Sequence, residues 1–250
     1  MQENAMTKAE REQKKQEKLL AEQQRVAGLR AFERDAVLRQ FGTGFFPELL
    51  SGEPGSEQSD HPEGWDRILI CGIDEAGRGP LAGPVAAGAV ILRPDHDILY
   101  LNDSKKLSAA KRDMLFDVIK EEALAWQVSL VWQERIDEIN ILQATYEAMR
   151  SAVAGLSVQP SVLLNDAVTI PMLNIPQVPV VKGDAKCLSI AAASILAKVT
   201  RDRLMEEMDQ KYPEYGFAKH KGYGTREHIE AIRKYGPCPI HRRTFIQNYI

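Results

Sequence analysis

Apolar residues follow two rhythms after about residue 67 and only a weak one before it. Short apolar runs over 68–73, 85–92, 127–132, 161–165 and 178–181 have the length and composition of buried strands. Between them, apolar positions recur at helical steps. Over 136–156, Ile139, Leu142, Tyr146, Met149 and Val153 share one face. A helix is predicted over 108–124 with Ser108 as its N-cap, and a short one over 227–234. A long helix over 188–212 begins with small apolar residues, so its first half is expected against a sheet. Strands alternating with helices predict an α/β layer fold.

The first 39 residues are rich in Glu, Gln, Lys, Arg and Ala and predict a solvated helix. Leu19, Leu20, Val26, Leu29 and Phe32 give it some amphipathic character. Gly42 to Pro47 breaks the pattern. Residues 51–66 hold five acidic residues, no Lys or Arg, two prolines and three glycines, the composition of a linker. The expected division is a charged helical extension over 1–50, an acidic linker over 51–66 and a folded domain over 67–250.

Composition changes this picture little. At 250 residues, with 44% hydrophobic and 27% charged residues, the chain suits one ordinary domain plus an extension. No apolar run is long enough to span a membrane, and the N-terminus is too polar for a secretory signal. Three widely spaced cysteines, Cys71, Cys187 and Cys238, argue for a reducing cytoplasm rather than a disulfide scaffold. No close Cys or His pair has zinc-ligand spacing. The net charge of −3 hides an asymmetry: residues 182–250 carry 13 Lys and Arg against 8 Asp and Glu. A basic C-terminal part beside an acidic cluster suits a polyanion binder better than the total does, although an ordinary mixed surface has the same composition.

The chemistry centres on Asp74 and Glu75, where the first strand is expected to end and a glycine-rich turn to begin. Neighbouring strand residues point to opposite faces. A break in regular backbone is therefore expected to bring both carboxylates to one point, with Gly77 and Gly79 supplying the freedom. Buried carboxylates need partners, and a hard divalent cation is one. Asp166 ends the strand whose apolar part is Val162-Leu163-Leu164, and Asp184 follows Val180-Val181. Taken singly, Asp184 reads as a helix cap and Asp166 as a turn former. Together, acids at successive strand exits suit a site for two divalent ions.

Five ordered blocks carry a resemblance. They are Asp74-Glu75-Ala76-Gly77-Arg78-Gly79-Pro80; Asn102-Asp103-Ser104-Lys105-Lys106-Leu107; Lys182-Gly183-Asp184 running into the Ile190 to Asp202 stretch; His220-Lys221-Gly222-Tyr223-Gly224-Thr225; and Tyr235-Gly236-Pro237-Cys238-Pro239-Ile240-His241-Arg242-Arg243. From about Ile68 to about Phe245 the chain resembles ribonuclease HII, the type 2 ribonuclease H family. The first 67 residues lie outside the resemblance. It implies a ribonuclease H-like fold, a mixed five-stranded sheet flanked by helices. It also implies that Asp74, Glu75, Asp166 and Asp184 are the four acidic site residues and metal ligands for two Mg²⁺ or Mn²⁺ ions.

The same resemblance assigns Gly77, Arg78 and Gly79, with Tyr223, to the ribose 2′-hydroxyl, the group that separates RNA from DNA. Asn102, Ser104, Lys105 and Lys182 would hold phosphates. Lys105 with Lys106 also reads as a solvated pair. The expected substrates are RNA–DNA hybrids and duplex DNA containing ribonucleotides, cut by a cytoplasmic monomer. The match is weakest around Asp166, where the family commonly has Gly after the acid and this chain has Ala167. Tyr212, Tyr215, Phe217, Tyr223 and Tyr235 alternate with Lys219, Lys221, Arg226, Arg233 and Lys234. That mixture suits a nucleic-acid groove or a core with a basic rim. Arg242 and Arg243 suit either the opposite strand or a cap on the fold.

Overall fold

The structure, a computed structural model, describes residues 7–42 and 65–250. The N-terminal helix ends at Gly42, where the break is expected, while residues 43–47 and most of the acidic linker lie outside the described residues. The chain runs α1 (Lys8–Phe41), β1 (Ile70–Ala76), β2 (Val85–Ile91), α2 (Ala109–Glu122), β3 (Ala125–Val131), α3 (Gln133–Ala154), β4 (Val162–Asp166) and β5 (Gln177–Val180). It continues with α4 (Gly183–Lys186), α5 (Leu188–Lys211), α6 (Phe217–His220), α7 (Arg226–Tyr235) and α8 (Arg243–Ile246).

The five strands form one sheet in the order β3-β2-β1-β4-β5. The β1–β2 and β2–β3 pairs are antiparallel, while β1–β4 and β4–β5 are parallel. This is the expected mixed five-stranded sheet. Alternation along β1 sorts its residues by face. Cys71 and Ile73 join Ala87, Ala89 and Ile91 of β2 against Ala148, Met149 and Ala152 of α3. Gly72 faces α5, where a Cβ would lie 2.0 Å from the main-chain carbon of Ser189. A Cβ on Gly88 would lie 2.4 Å from the Ala193 carbonyl oxygen. Helix and sheet thus meet backbone to backbone, which is why alanine and serine recur in the first half of α5.

Two local differences from the sequence reading have physical causes. The expected single helix over 136–156 is interrupted at Asn140, whose φ is 67°. Its side-chain Oδ1 accepts from the main-chain N–H groups of Leu142 (3.0 Å) and Gln143 (3.2 Å), capping the second segment. The expected solvated N-terminal helix is docked along its C-terminal half. Val26, Glu33 and Val37 are buried. Glu33 Oε1 accepts from Ser189 N (2.8 Å) and Ser189 Oγ (2.6 Å), placing a carboxylate at the N-terminus of α5. Burial raises the Glu33 carboxyl above the usual range, against those two hydrogen bonds. No helix among the described residues is long and apolar enough to cross a membrane.

Candidate active site

The parallel register of β1 with β4, Ile73 beside Asn165, brings Asp74 and Asp166 to neighbouring strand ends. Here the first expectation needs correcting. No break in regular backbone separates Asp74 from Glu75. Strand β1 continues to Ala76, and both acids stay paired, Asp74 with Gly88 and Glu75 with Ala87. Pairing extends the strand because β2 continues opposite it. The irregular backbone comes later, at Gly77 (φ 93°). Both acids nevertheless line one cleft of about 320 Å³ with Gly77, Arg78, Gly79, Ser104, Lys105, Ser194, Lys198 and Tyr223.

Asp74 is buried, and its carboxyl is pushed up to about 8. Burial is the main cause, followed by repulsion from Glu75, with a smaller contribution from Asp166; hydrogen bonds from Ser194 and the Glu75 N–H oppose them. Glu75 is also raised, by burial and then by Asp166, while Arg78 at 3.2 Å and Lys105 pull it back. Ser194 Oγ lies 2.9 Å from Ser104 Oγ. Ser104 is therefore buried behind Ser194, whose other neighbour is Asp74.

Asp166 and Asp184 line an adjoining cleft of about 530 Å³ with Asp103, Lys105, Lys106 and Lys182. Asp166 Oδ1 accepts from Gly183 N at 2.8 Å. Two left-handed residues flank this pair, Ala167 at φ 56° just after β4 and Lys182 at φ 58° just after β5. A left-handed φ favours glycine. That accounts for the glycine common after this acid in the resembling family, and this chain accepts a cost of about 1 kcal/mol there. Asp184 is raised by burial, then by Asp103 and Asp166.

Lys105 is common to both clefts. Its ammonium is 3.7 Å from Asp184 Oδ2. Burial would lower its pKa, but Asp184, Asp74, Asp103 and Asp166 outweigh burial and raise it. Among the described residues no group of three or more His, Cys, Asp or Glu side chains is gathered tightly enough to hold a metal ion. The four acids thus share one end of the sheet as two adjacent pairs, with Lys105 between them. Asn102 Oδ1 caps Asp103 N at 2.8 Å, and Lys182 is exposed.

The sequence reading does not single out Ser194, Lys198 or Arg201, and it leaves Arg242 between two roles. Arg201 and Arg242 are fully buried, and neither forms an ion pair among the described residues. Arg242 donates to the carbonyls of Gly83 (3.0 Å), Arg78 (2.8 Å) and Gly77 (2.6 Å). Arg201 donates to Pro84 (2.8 Å), Ala82 (3.0 Å) and Lys221 (2.9 Å). The glycine-rich loop is therefore held from beneath by two guanidinium groups, both lowered chiefly by burial, Arg201 to about 10 and Arg242 to about 9. Arg242 caps the fold, and among the candidate groove aromatics Tyr215 and Phe217 are core. Ser194, Lys198 and Arg201 share one face of α5 at steps of four and three, a spacing visible in the sequence.

Tyr223 is half-exposed, with Gly79 against its ring: a Cβ there would lie 3.6 Å from Cε1. Its carbonyl accepts from His228 Nδ1 at 2.9 Å, and His228 Nε2 is 3.0 Å from His241 Nε2. A carbonyl can only accept, so the His228 proton is on Nδ1 and His241 must donate from Nε2. His241 Nδ1 is then the acceptor, and the Cys238 N–H donates to it at 2.9 Å. Hydrogen bonding thus defines a single neutral tautomer for each ring. Burial is the largest cause lowering both imidazoles, each to about 4.

The ribonuclease HII family model matches residues 71–248. The chain belongs to the ribonuclease HII family. Its activity is that of an endoribonuclease of this family. The ribonuclease HII of Lachnoclostridium phytofermentans is 64% identical over 183 residues, covering 73% of this chain and 72% of that protein. The Clostridioides difficile ribonuclease HII is 60% identical over 190 residues, covering 75% and 74%. Among solved structures, ribonuclease H2 from Pyrococcus horikoshii OT3 superposes with a TM-score of 0.60 at 31% identity, over 71% of this chain and 93% of that one. Archaeoglobus fulgidus ribonuclease HII, solved in complex with PCNA, gives 0.60 at 25% identity, over 70% and 94%.

Proposed function

We propose that this ribonuclease HII cuts the RNA strand of RNA–DNA hybrids and nicks duplex DNA on the 5′ side of an embedded ribonucleotide. The products carry a 3′-hydroxyl and a 5′-phosphate. The observation that carries the reading is the cleft that joins Asp74 and Glu75 to the Gly77–Gly79 loop and Tyr223.

The acids suit divalent cations. All donors are carboxylate oxygens, the ligand type of Mg²⁺ and Mn²⁺. Asp74 is buried beside Glu75 and Asp166, and burial and then their repulsion push its carboxyl up to about 8, so a cation bound there would be favoured. Asp74, Glu75 and Asp166 would hold two ions, with Asp184 completing the set. Bound there, the ions supply an activated water and neutralise charge on the leaving oxygen. Lys105 holds the charge balance between the two acid pairs, within reach of a substrate phosphate. Ser194 orients Asp74 and is itself backed by Ser104. Lys182, which lines the second cleft, and Asn102 would serve as phosphate contacts that set register.

Ribose recognition follows from the loop. A trans peptide aims its N–H opposite to its C=O. Arg242 takes the Gly77 and Arg78 carbonyls, so the Arg78 and Gly79 N–H groups point away from it. These donors, with the Tyr223 hydroxyl, suit a 2′-hydroxyl in the cleft.

The test is a DNA duplex with one internal ribonucleotide. It should be nicked with Mg²⁺ and spared with EDTA, and an all-DNA duplex should stay intact. Equal cutting of both duplexes would overturn ribose recognition, and undiminished cutting in EDTA would overturn the metal site.

A further inference from the structure

Three histidines lie beneath the turn that carries Tyr223. His220, His228 and His241 are all buried. Every one of their ring nitrogens has a hydrogen-bond partner. His220 Nδ1 accepts from Gly222 N at 3.2 Å, and its Nε2 donates to the Tyr215 carbonyl at 2.7 Å. The nitrogens of His228 and His241 form the relay from Cys238 N to the Tyr223 carbonyl. The His220 and His228 rings stack at 4.5 Å with 18° between their planes. Two imidazoles therefore grip successive residues of one turn, His220 at the Gly222 N–H and His228 at the Tyr223 carbonyl. Apolar side chains would fill this volume without desolvating any ring nitrogen. Apart from the His228–His241 bond, these nitrogens all bind main-chain groups, and a fully satisfied buried network of this kind fixes one conformation.

The Tyr223 side chain does little to fix itself. Its ring is half-exposed, across from Gly79, which has no side chain to pin it. Gly222 sits at φ 84°, and a Cβ there would lie 2.6 Å from the Ala82 carbonyl oxygen. The Leu81 N–H donates to the Gly222 carbonyl at 2.8 Å, which ties the turn to the end of the glycine-rich loop. The position of the Tyr223 hydroxyl relative to Gly79 is thus set through the main chain. The Tyr223 carbonyl accepts from Thr225 N at 2.8 Å within the turn and from His228 of α7. The second bond depends on where the His228 proton sits. With the proton on Nε2, Nδ1 would present a lone pair to the carbonyl. His241 prevents this, because its own Nε2–H faces His228 Nε2 while Cys238 N holds its Nδ1 as an acceptor.

We propose that His228, held in one tautomer by His241, is a positioning residue that sets the Tyr223 hydroxyl in the cleft. This rests on the reading of Tyr223 as a contact to the ribose 2′-hydroxyl. A core role alone would make any well-packed replacement equivalent. A positioning role makes the outcome depend on which ring nitrogen the replacement imitates. Asn places its amide within the reach of Nδ1 and can still donate to the Tyr223 carbonyl. Gln reaches as far as Nε2 and can accept from His241, but it withdraws the donor from that carbonyl.

The experiment compares His228→Asn with His228→Gln in the full chain, on a DNA duplex with one internal ribonucleotide and Mg²⁺. Each variant loses one ring hydrogen bond, so their urea midpoints should fall together. Their rates should not. A misplacement of about 1 Å costs about 10²-fold, so His228→Gln should lower kcat by about tenfold to 10²-fold with KM within about threefold. His228→Asn should stay within about threefold of wild type in both. In a Tyr223→Phe background His228→Gln should add less than about twofold, the non-additivity of residues that act through one contact. A second readout does not use activity. In protein labelled with 3-fluorotyrosine, the Tyr223 ¹⁹F signal, recognised by its absence in Tyr223→Phe, should shift in His228→Gln and keep its wild-type position in His228→Asn. Equal rates and equal ¹⁹F positions for the two variants overturn the proposal, as does full additivity with Tyr223→Phe. If Tyr223→Phe itself cuts the ribonucleotide duplex as fast as wild type, the ribose reading fails instead, and the fluorine signal still decides whether His228 places Tyr223.

Discussion

The two walls of the site are built in opposite ways. The Asp74–Glu75 wall lies on a strand paired on both sides, with α5 in backbone contact and two buried arginines beneath the loop that follows. The Asp166–Asp184 wall lies where β4 ends beside the short edge strand β5, with one left-handed residue after each strand, Ala167 and Lys182. Its counter-charge is Lys105, an exposed side chain on a loop. One wall is over-determined by packing. The other is held by one main-chain hydrogen bond to Asp166 and by electrostatics. Cations bound as proposed between crowded acids would have one fixed reference and one side that tolerates adjustment.

The largest effect is expected in catalysis. Asp74→Asn should lower the cleavage rate by about 10³-fold while duplex binding persists, and Asp184→Asn should cost about tenfold to 10²-fold, the range seen when preorganised charge is removed. Single-turnover rates check the order, and equal losses would erase the distinction between the walls. The next effect is on stability. Arg242→Met leaves three main-chain carbonyls without their donor. It should destabilise the protein by about 3 kcal/mol or more in urea unfolding. Lys105→Met, on the exposed wall, should cost less than about 1 kcal/mol in the same measurement.

Acid should find the rigid wall first. His228 and His241, lowered to about 4, stay neutral in the fold. Unfolded histidine titrates near 6.5. The unfolded chain therefore binds more protons below that pH, and stability should fall between about pH 6.5 and 4 and stop falling through these groups below 4. Urea midpoints across that range check it, and His241→Asn should flatten the trend. The smallest effect should be a gain. Ala167→Gly relieves a left-handed alanine and should stabilise by about 0.5–1 kcal/mol. A loss would mean that the turn is not strained.

Much of this was legible before any coordinates. The short apolar runs and the helical rhythm around Met149 predicted the five strands and the main helices, because period and length report burial directly. The motif blocks named the acids, the loop and Tyr223. Other features were hidden for identifiable reasons. Asp74 and Glu75 read as the end of a strand because Gly77 and Gly79 follow. The pairing of Glu75 with Ala87, a contact distant in sequence, carries the strand to Ala76. Tyr215 and Phe217 alternate with lysines as a groove aromatic would, and only packing against Met205 and Ile232 makes them core. The docking of α1 depends on a carboxylate, Glu33, that looks like any surface acid until Ser189 is placed beside it.

What the sequence determined by itself was the layer order of elements and the chemical identity of the site, since both depend on local periodicity and on residue type. What only the tertiary structure decided was how charge is held. It paired the acids into two walls with Lys105 between them, buried Arg201 and Arg242 under the glycine-rich loop, and assigned single tautomers to His228 and His241. Those outcomes depend on desolvation and on hydrogen-bond partners far apart in the chain, and neither quantity exists until the chain has folded.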